Sequence, residues 1–157
     1  MADCRVSYTA PEWDREGADW PNREASRFIE AGGITWHVQV MGRGPALLLM
    51  HGTGGATHSF RDLAPILAER FTVIVPDMPG HGFSSWPERA DALSLPGMAK
   101  ALGHLLKALR LDPQVAAGHS AGAAVIAQMQ LSGQIQAGTL VSINGALLPL
   151  PGLPGLV

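Results

Sequence analysis

The chain has 157 residues, a formal charge of −2 and 46% hydrophobic residues, with 19 Gly, 12 Pro and one Cys. That length suits one domain around a single core, and the composition suits a turn-rich α/β protein and excludes a disordered one. No basic excess exists to hold nucleic acid, and the lone Cys4 cannot form an internal disulfide, which fits a cytoplasmic setting.

Residues 1–26 read as a mostly irregular arm, with Trp13 and Trp20 as anchors onto the body. Charges early in the arm stand where a signal peptide needs an apolar stretch, so secretion is unsupported. Residues 27–31 and Ile34–Met41 flank Gly32-Gly33, a two-residue hairpin signal. Thr35, His37 and Gln39 alternate with Ile34, Trp36, Val38 and Val40. This is the pattern of a half-buried antiparallel edge strand, with His37 facing solvent.

Ala46–Met50, 71–75, 115–118 and Thr139–Ile143 are short apolar runs, as expected of strands covered on both faces. Helical spacing places Phe60, Leu63, Ile66 and Leu67 on one face of 59–70. It does the same for Met98, Leu102, Leu105, Leu106 and Leu109 over 98–109. Ala121–Leu131 is apolar nearly all round, so it should be buried. Strands alternating with helices imply right-handed crossovers. The expected fold is α/β: a mostly parallel sheet of about six strands with helices on both faces.

From position 113 to position 157 there is no Asp, Glu, Lys or Arg. The favoured reading is buried strands and helices of a larger protein. A membrane-facing surface competes with it, but no run of 18 apolar residues exists, and Pro149, Pro151 and Pro154 break the tail at 147–157.

Three motifs carry chemistry. Gly118-His119-Ser120-Ala121-Gly122 has the Gly-x-Ser-x-Gly form of a nucleophile elbow, after an apolar run and before a helix of small residues. Gly118 and Gly122 let strand and helix pass closely while Ser120 takes an unfavourable backbone conformation. The second motif, His51-Gly52-Thr53-Gly54-Gly55, follows an apolar strand and can aim a backbone N–H into a site. The N–H groups of Thr53 and Ala121 would be the oxyanion donors, with Gly52 and Gly54 shaping the loop. A phosphate loop would need a following Gly-Lys-Ser/Thr, which is missing.

In the third motif, 76–84, Asp77 is a carboxylate that holds a tight turn containing Gly80 and Gly82, and His81 is structural or rim-lining. His58 and His104 read as helix surface or filler, and His119 as pointing away from Ser120. No His/Cys/Asp cluster has metal-ligand spacing, so no metal and no cofactor are expected.

In this order the three motifs resemble the α/β-hydrolase superfamily over about 27–145. Residues 19–26 (Asp-Trp-Pro-Asn-Arg-Glu-Ala-Ser), Trp36-His37-Val38-Gln39 and 53–59 are similar to a narrower group. This is the α/β-hydrolase-fold family of bacteriochlorophyll gene clusters, described as magnesium-chelatase accessory proteins. The resemblance implies a Ser120 nucleophile acting on an ester-like or tetrapyrrole-related small molecule, and association with magnesium chelatase. A Ser at the elbow sets the chain apart from the dehalogenase and epoxide-hydrolase branches, which use Asp there.

A Ser nucleophile needs a His base and an orienting acid, which in this fold come later in sequence than the Ser. After Ser120 the chain has no Asp, Glu or His. The expectation is therefore the N-terminal part of such an enzyme, inactive by itself, with 27–145 as partial core and 146–157 as the start of a lid segment. A non-catalytic accessory role in tetrapyrrole synthesis and a generic carboxylesterase or lipase-like enzyme are the alternatives.

Overall fold

A computed structural model describes residues 12–147. The strands are β1 (Ser26–Ala31), β2 (Ile34–Met41), β3 (Ala46–Met50), β4 (Thr72–Pro76), β5 (Pro113–His119) and β6 (Thr139–Ile143). They form one sheet in the order β1-β2-β4-β3-β5-β6. β1–β2 and β2–β4 pair antiparallel, and β4, β3, β5 and β6 run parallel. The helices are α1 (Trp13–Glu16), α2 (Leu63–Ala68), α3 (Leu95–Leu109) and α4 (Ala121–Leu131), with short 3₁₀ turns between some elements.

Local chemistry accounts for the boundaries. Gly32 and Gly33, at φ 62° and 77°, close the β1–β2 hairpin in the left-handed conformation that a two-residue loop of this hand requires. Ser94 caps α3 by accepting the Gly97 N–H at 3.2 Å, and Arg110 ends that helix in a left-handed conformation.

The sheet has helices on both faces. Leu48 and Met50 of β3 join Trp36, Val38 and Ile74 under α3 and α4, where Leu102, Leu105, Val125, Ile126 and Met129 close the layer. Leu47 and Leu49 point the other way, onto Val73, Val75, Phe60 and Ala64 of α2. Alternating directions with both faces covered explain the unbroken apolar run of β3.

Three expectations need correction. β2 is not an edge strand: β1 takes the edge, and β2 lies second, against β4. Its Thr35/His37/Gln39 face is covered by the segment before β1. Trp13 packs on Phe28, His37 and Phe83, Trp20 Nε1 donates to Thr57 Oγ1 at 2.8 Å, and Gln39 Nε2 donates to Pro21 O at 2.6 Å. Nor is 59–70 one helix with a single inward face. A 3₁₀ turn at Thr57–Phe60 precedes the six-residue α2, and the change of period leaves Leu63 and Ile66 exposed. α4 is not buried all round as expected: Gly122, Ala123, Val125, Ile126 and Met129 are buried, the rest are partly exposed, and Leu131 is exposed. The expected tail, beyond Leu147, and Cys4 lie outside the described residues. Among the described residues no helix is long and apolar enough to cross a membrane.

β6 pairs only with β5 and exposes all five residues. Leu140 and Val141, on opposite faces, are 42% and 41% exposed. An uncharged apolar edge is a template for further pairing. The isolated chain is therefore expected to self-associate in sedimentation velocity. Leu140→Lys with Val141→Glu should shift it to monomer at a cost within about 0.5 kcal/mol of stability per exposed site.

Candidate active site

β5 ends at His119 and α4 begins at Ala121, with Ser120 between them at φ 51° and ψ −120°. A non-glycine residue held there costs on the order of 1–3 kcal/mol, so its surroundings must impose it. The Ser120 N–H donates to Ile143 O at 3.0 Å, and its carbonyl accepts from the N–H groups of Ala123 (3.1 Å) and Ala146 (3.0 Å). A Cβ on Gly118 would lie 2.5 Å from the Ala123 nitrogen, and one on Gly122 would run into the carbonyl oxygens of Met50 and His51. The two glycines thus let α4 descend onto the ends of β5 and β3.

The loop after β3 reaches the same point. A Cβ on Gly52 would sit 3.0 Å from Ser120 Cβ and 3.2 Å from His119 Nδ1. The His119 ring flanks this loop beside Ser120 and does not point away from it, which corrects the strand-alternation expectation. Thr53 follows Gly52 and is exposed, with Gly54 at φ 76°. As the first residue of α4, Ala121 has no intrahelical acceptor for its N–H. The Ser120 side chain makes no capping bond to α4.

His51 braces the loop from inside. Its Nδ1–H donates to Gly52 O at 2.8 Å, and its Nε2 accepts the Met78 N–H at 2.9 Å. That pattern fixes the neutral Nδ1–H tautomer, and burial lowers the pKa, outweighing the Gly52 carbonyl and the Asp77 charge.

Asp77 is wholly buried at the end of β4. Its Oδ1 accepts the Thr57 N–H at 2.6 Å, and its Oδ2 accepts from the Phe83 N–H at 2.9 Å and from His37 Nδ1 at 2.7 Å. Gly82, at φ 50°, leaves the space that this carboxylate fills, and Gly80, at φ 73°, abuts Trp86.

His37 is the residue that pattern reading missed. It is fully buried, and its Nε2 lies 2.9 Å from Ser26 Oγ. Period-2 alternation marks a face, not what covers it, and the cover comes from residues far away in sequence. Of the remaining histidines, His81 Nδ1 donates to Pro79 O at 3.1 Å, His58 packs edge-on to Trp20, and His104 lies against the hairpin at Gly32. Among the described residues no histidine hydrogen-bonds Ser120, and no group of three His, Cys, Asp or Glu could hold a metal ion. Two surface hollows, of about 290 and 270 Å³, flank α3 and include neither Ser120 nor Thr53.

A sheet of this order with helices on both faces has counterparts in known proteins. The family model described as "alpha/beta hydrolase fold" matches residues 45–154. The chain belongs to the α/β-hydrolase fold family. It is 42% identical over 142 residues to the magnesium-chelatase 30 kDa subunit of Rhodobacter capsulatus, covering 89% of this chain and 49% of that one. Among solved structures, Cfl2 of Burkholderia cenocepacia superposes with a TM-score of 0.74 at 27% identity, over 83% of this chain and 46% of that one. An α/β-hydrolase-fold protein of Burkholderia ambifaria shares the fold, with a TM-score of 0.70 at 24% identity over 82% and 49% of the two chains. The chain spans about half the length of these relatives.

Two outcomes follow from the geometry. Ser120→Gly should raise the unfolding free energy by about 1 kcal/mol over Ser120→Ala in urea titrations, because Gly carries no penalty at positive φ. Equal stability of the two variants would remove the strain. For His51, a folded pKa below the unfolded value of about 6.5 means that the unfolded chain takes up its proton first. Its contribution is complete above pH 6.5 and is lost as pH falls from there through the lower folded pKa. Thermal melts between pH 7.5 and 5 should decline in the native chain and decline less in His51→Gln, which keeps an acceptor for Met78 but cannot charge.

Proposed function

We propose that this chain supplies the nucleophile and oxyanion donors of a serine hydrolase that cleaves an ester-like bond through an acyl-enzyme. Ser120 Oγ attacks the carbonyl carbon. The N–H groups of Thr53 and Ala121 receive the developing oxyanion, and the N-terminus of α4 adds its partial positive charge. The observation that carries the reading is Ser120 at φ 51°, held between β5 and α4 with Gly52 against it.

In this reading the base is none of the six histidines. His37 and His51 have both ring nitrogens engaged, His81 is tied to Pro79, and His58 and His104 are packed elsewhere. His119 precedes Ser120 on the strand and lies against Gly52. Base and acid then come from polypeptide beyond these residues, and the Rhodobacter capsulatus relative is about twice as long as the matched region. The similarity to a magnesium-chelatase subunit favours a tetrapyrrole-related substrate and contact with the chelatase. Since no histidine among the described residues hydrogen-bonds Ser120, a second reading is a non-catalytic accessory protein in which the elbow is inherited and unused.

Losing triad members costs on the order of 10⁴–10⁶ in rate in serine proteases. The isolated chain should hydrolyse p-nitrophenyl esters at steady state no faster than its Ser120→Ala variant. A clear excess for the native chain would place a base among the six histidines. A chimera that appends the uncovered half of the Rhodobacter capsulatus relative should gain hydrolysis that Ser120→Ala abolishes. Chimeras that fold yet stay inactive would leave the accessory reading.

A further inference from the structure

A second serine in the chain already has what Ser120 lacks. Ser26 begins β1 opposite Gln39 and is half-buried. Ser26 Oγ lies 2.9 Å from His37 Nε2, and His37 Nδ1 lies 2.7 Å from Asp77 Oδ2. The direction of these bonds is fixed by the partners. A carboxylate only accepts, so His37 Nδ1 carries the proton there. Gln39 Nε2 faces the carbonyls of Pro21 and Asn22, which also only accept, so that end of the amide is the nitrogen. The same nitrogen donates to Ser26 Oγ at 3.3 Å. With His37 neutral and its Nδ1–H bonded to Asp77, Nε2 is the acceptor and the Ser26 O–H donates to it.

We propose that Ser26, activated by His37 and Asp77, is a site of covalent modification by small neutral acyl or phosphonyl electrophiles, separate from Ser120. Ser26 Oγ–H to His37 Nε2 and His37 Nδ1–H to Asp77 is the nucleophile–base–orienter order that activates a serine. His37 is fully buried among Trp13, Trp20, Phe28 and Phe83, so its ring is held in place for the transfer. With a fluorophosphonate, the Ser26 Oγ–P bond forms and the P–F bond breaks. Fluoride leaves, and the serine proton passes to His37 Nε2, whose imidazolium faces the Asp77 carboxylate. Ser26 has ordinary extended backbone, φ −72° and ψ 137°, and no helix N-terminus stands behind it. The site therefore supports one covalent event, not turnover. The inference does not rest on the role proposed for Ser120.

The test uses the full chain with Ser120→Ala, incubated with a fluorophosphonate and mapped by peptide mass spectrometry. The expected result is one phosphonate on the peptide containing Ser26, absent from the Ser26→Ala/Ser120→Ala double variant. That second change removes a single oxygen from a half-buried position. Labelling should slow roughly a hundredfold, the general-base contribution, when His37→Gln is added. It should fall by a similar factor when the Ser120→Ala chain is labelled in denaturing urea, a control that needs no further variant to fold. An unlabelled Ser120→Ala chain, a label on another residue, or an undiminished rate in urea would overturn the proposal.

Discussion

The carboxylate of Asp77 ties together three segments of the chain. It accepts N–H bonds from Thr57 in the loop after β3 and from Phe83 in the turn after β4, and a third from the His37 ring on β2. A buried carboxylate stripped of such donors costs several kcal/mol, so the arrangement holds only while all three segments stay in place. The dependence runs outward from there. The segment Gly52 to Thr57 is held at one end by His51 and at the other by Asp77, and this segment carries the candidate oxyanion donor. The arm packs its tryptophans on the same His37 ring, and Trp20 bonds the Thr57 side chain. Asp77, on the turn that follows β4, thus helps to set where the loop beside Ser120 lies.

What the sequence made legible follows from how local each signal is. The apolar runs of β3, β4 and β5 were readable to within a residue or two, since a strand covered on both faces needs no partner to declare itself. The elbow was readable for a similar reason: Gly118, Ser120 and Gly122 act on their own backbone and on its nearest neighbour. β2 was misread because its polar alternation, Thr35-x-His37-x-Gln39, is the same whether water or protein covers it. The covering groups, Pro21 and Trp13 on one side and Asp77 on the other, lie 18 to 40 positions away in sequence. The face of α2 was misread because a 3₁₀ turn changes the period where a single helix was assumed. Of the chemistry-bearing groups, His37 was lost to the first error and the place of His119 to strand alternation, since Gly52 comes from the loop after another strand.

The uncharged stretch from 113 onward shows how composition and position can disagree. Its sequence has the character of an interior segment, and the middle of β5 and one face of α4 are indeed buried. β6 has the same character, yet it lies at the sheet's edge with Leu140, Val141 and Ile143 exposed. Natural edge strands are usually blunted by charge, proline or a bulge. β6 has none of these, and its register with β5 is regular over all five pairs. Such a strand is suited to be an inner one, which agrees with relatives that are about twice as long as the region they share with this chain.

The elbow is held entirely by contacts among the described residues. Ser120 is held at positive φ by bonds from its own backbone to Ile143, Ala123 and Ala146, and by the close seating of Gly118 and Gly122. Every one of these contacts lies within β3 and the residue after it, β5, α4, β6 and the residues just after β6. The strain of on the order of 1–3 kcal/mol is thus carried by the packing around Ser120. Geometry at Ser120 is therefore evidence of the fold. Activation of a serine rests on a hydrogen-bonded base, which is a separate physical requirement from backbone strain. A well-formed elbow and an activated serine are thus separable properties of this fold.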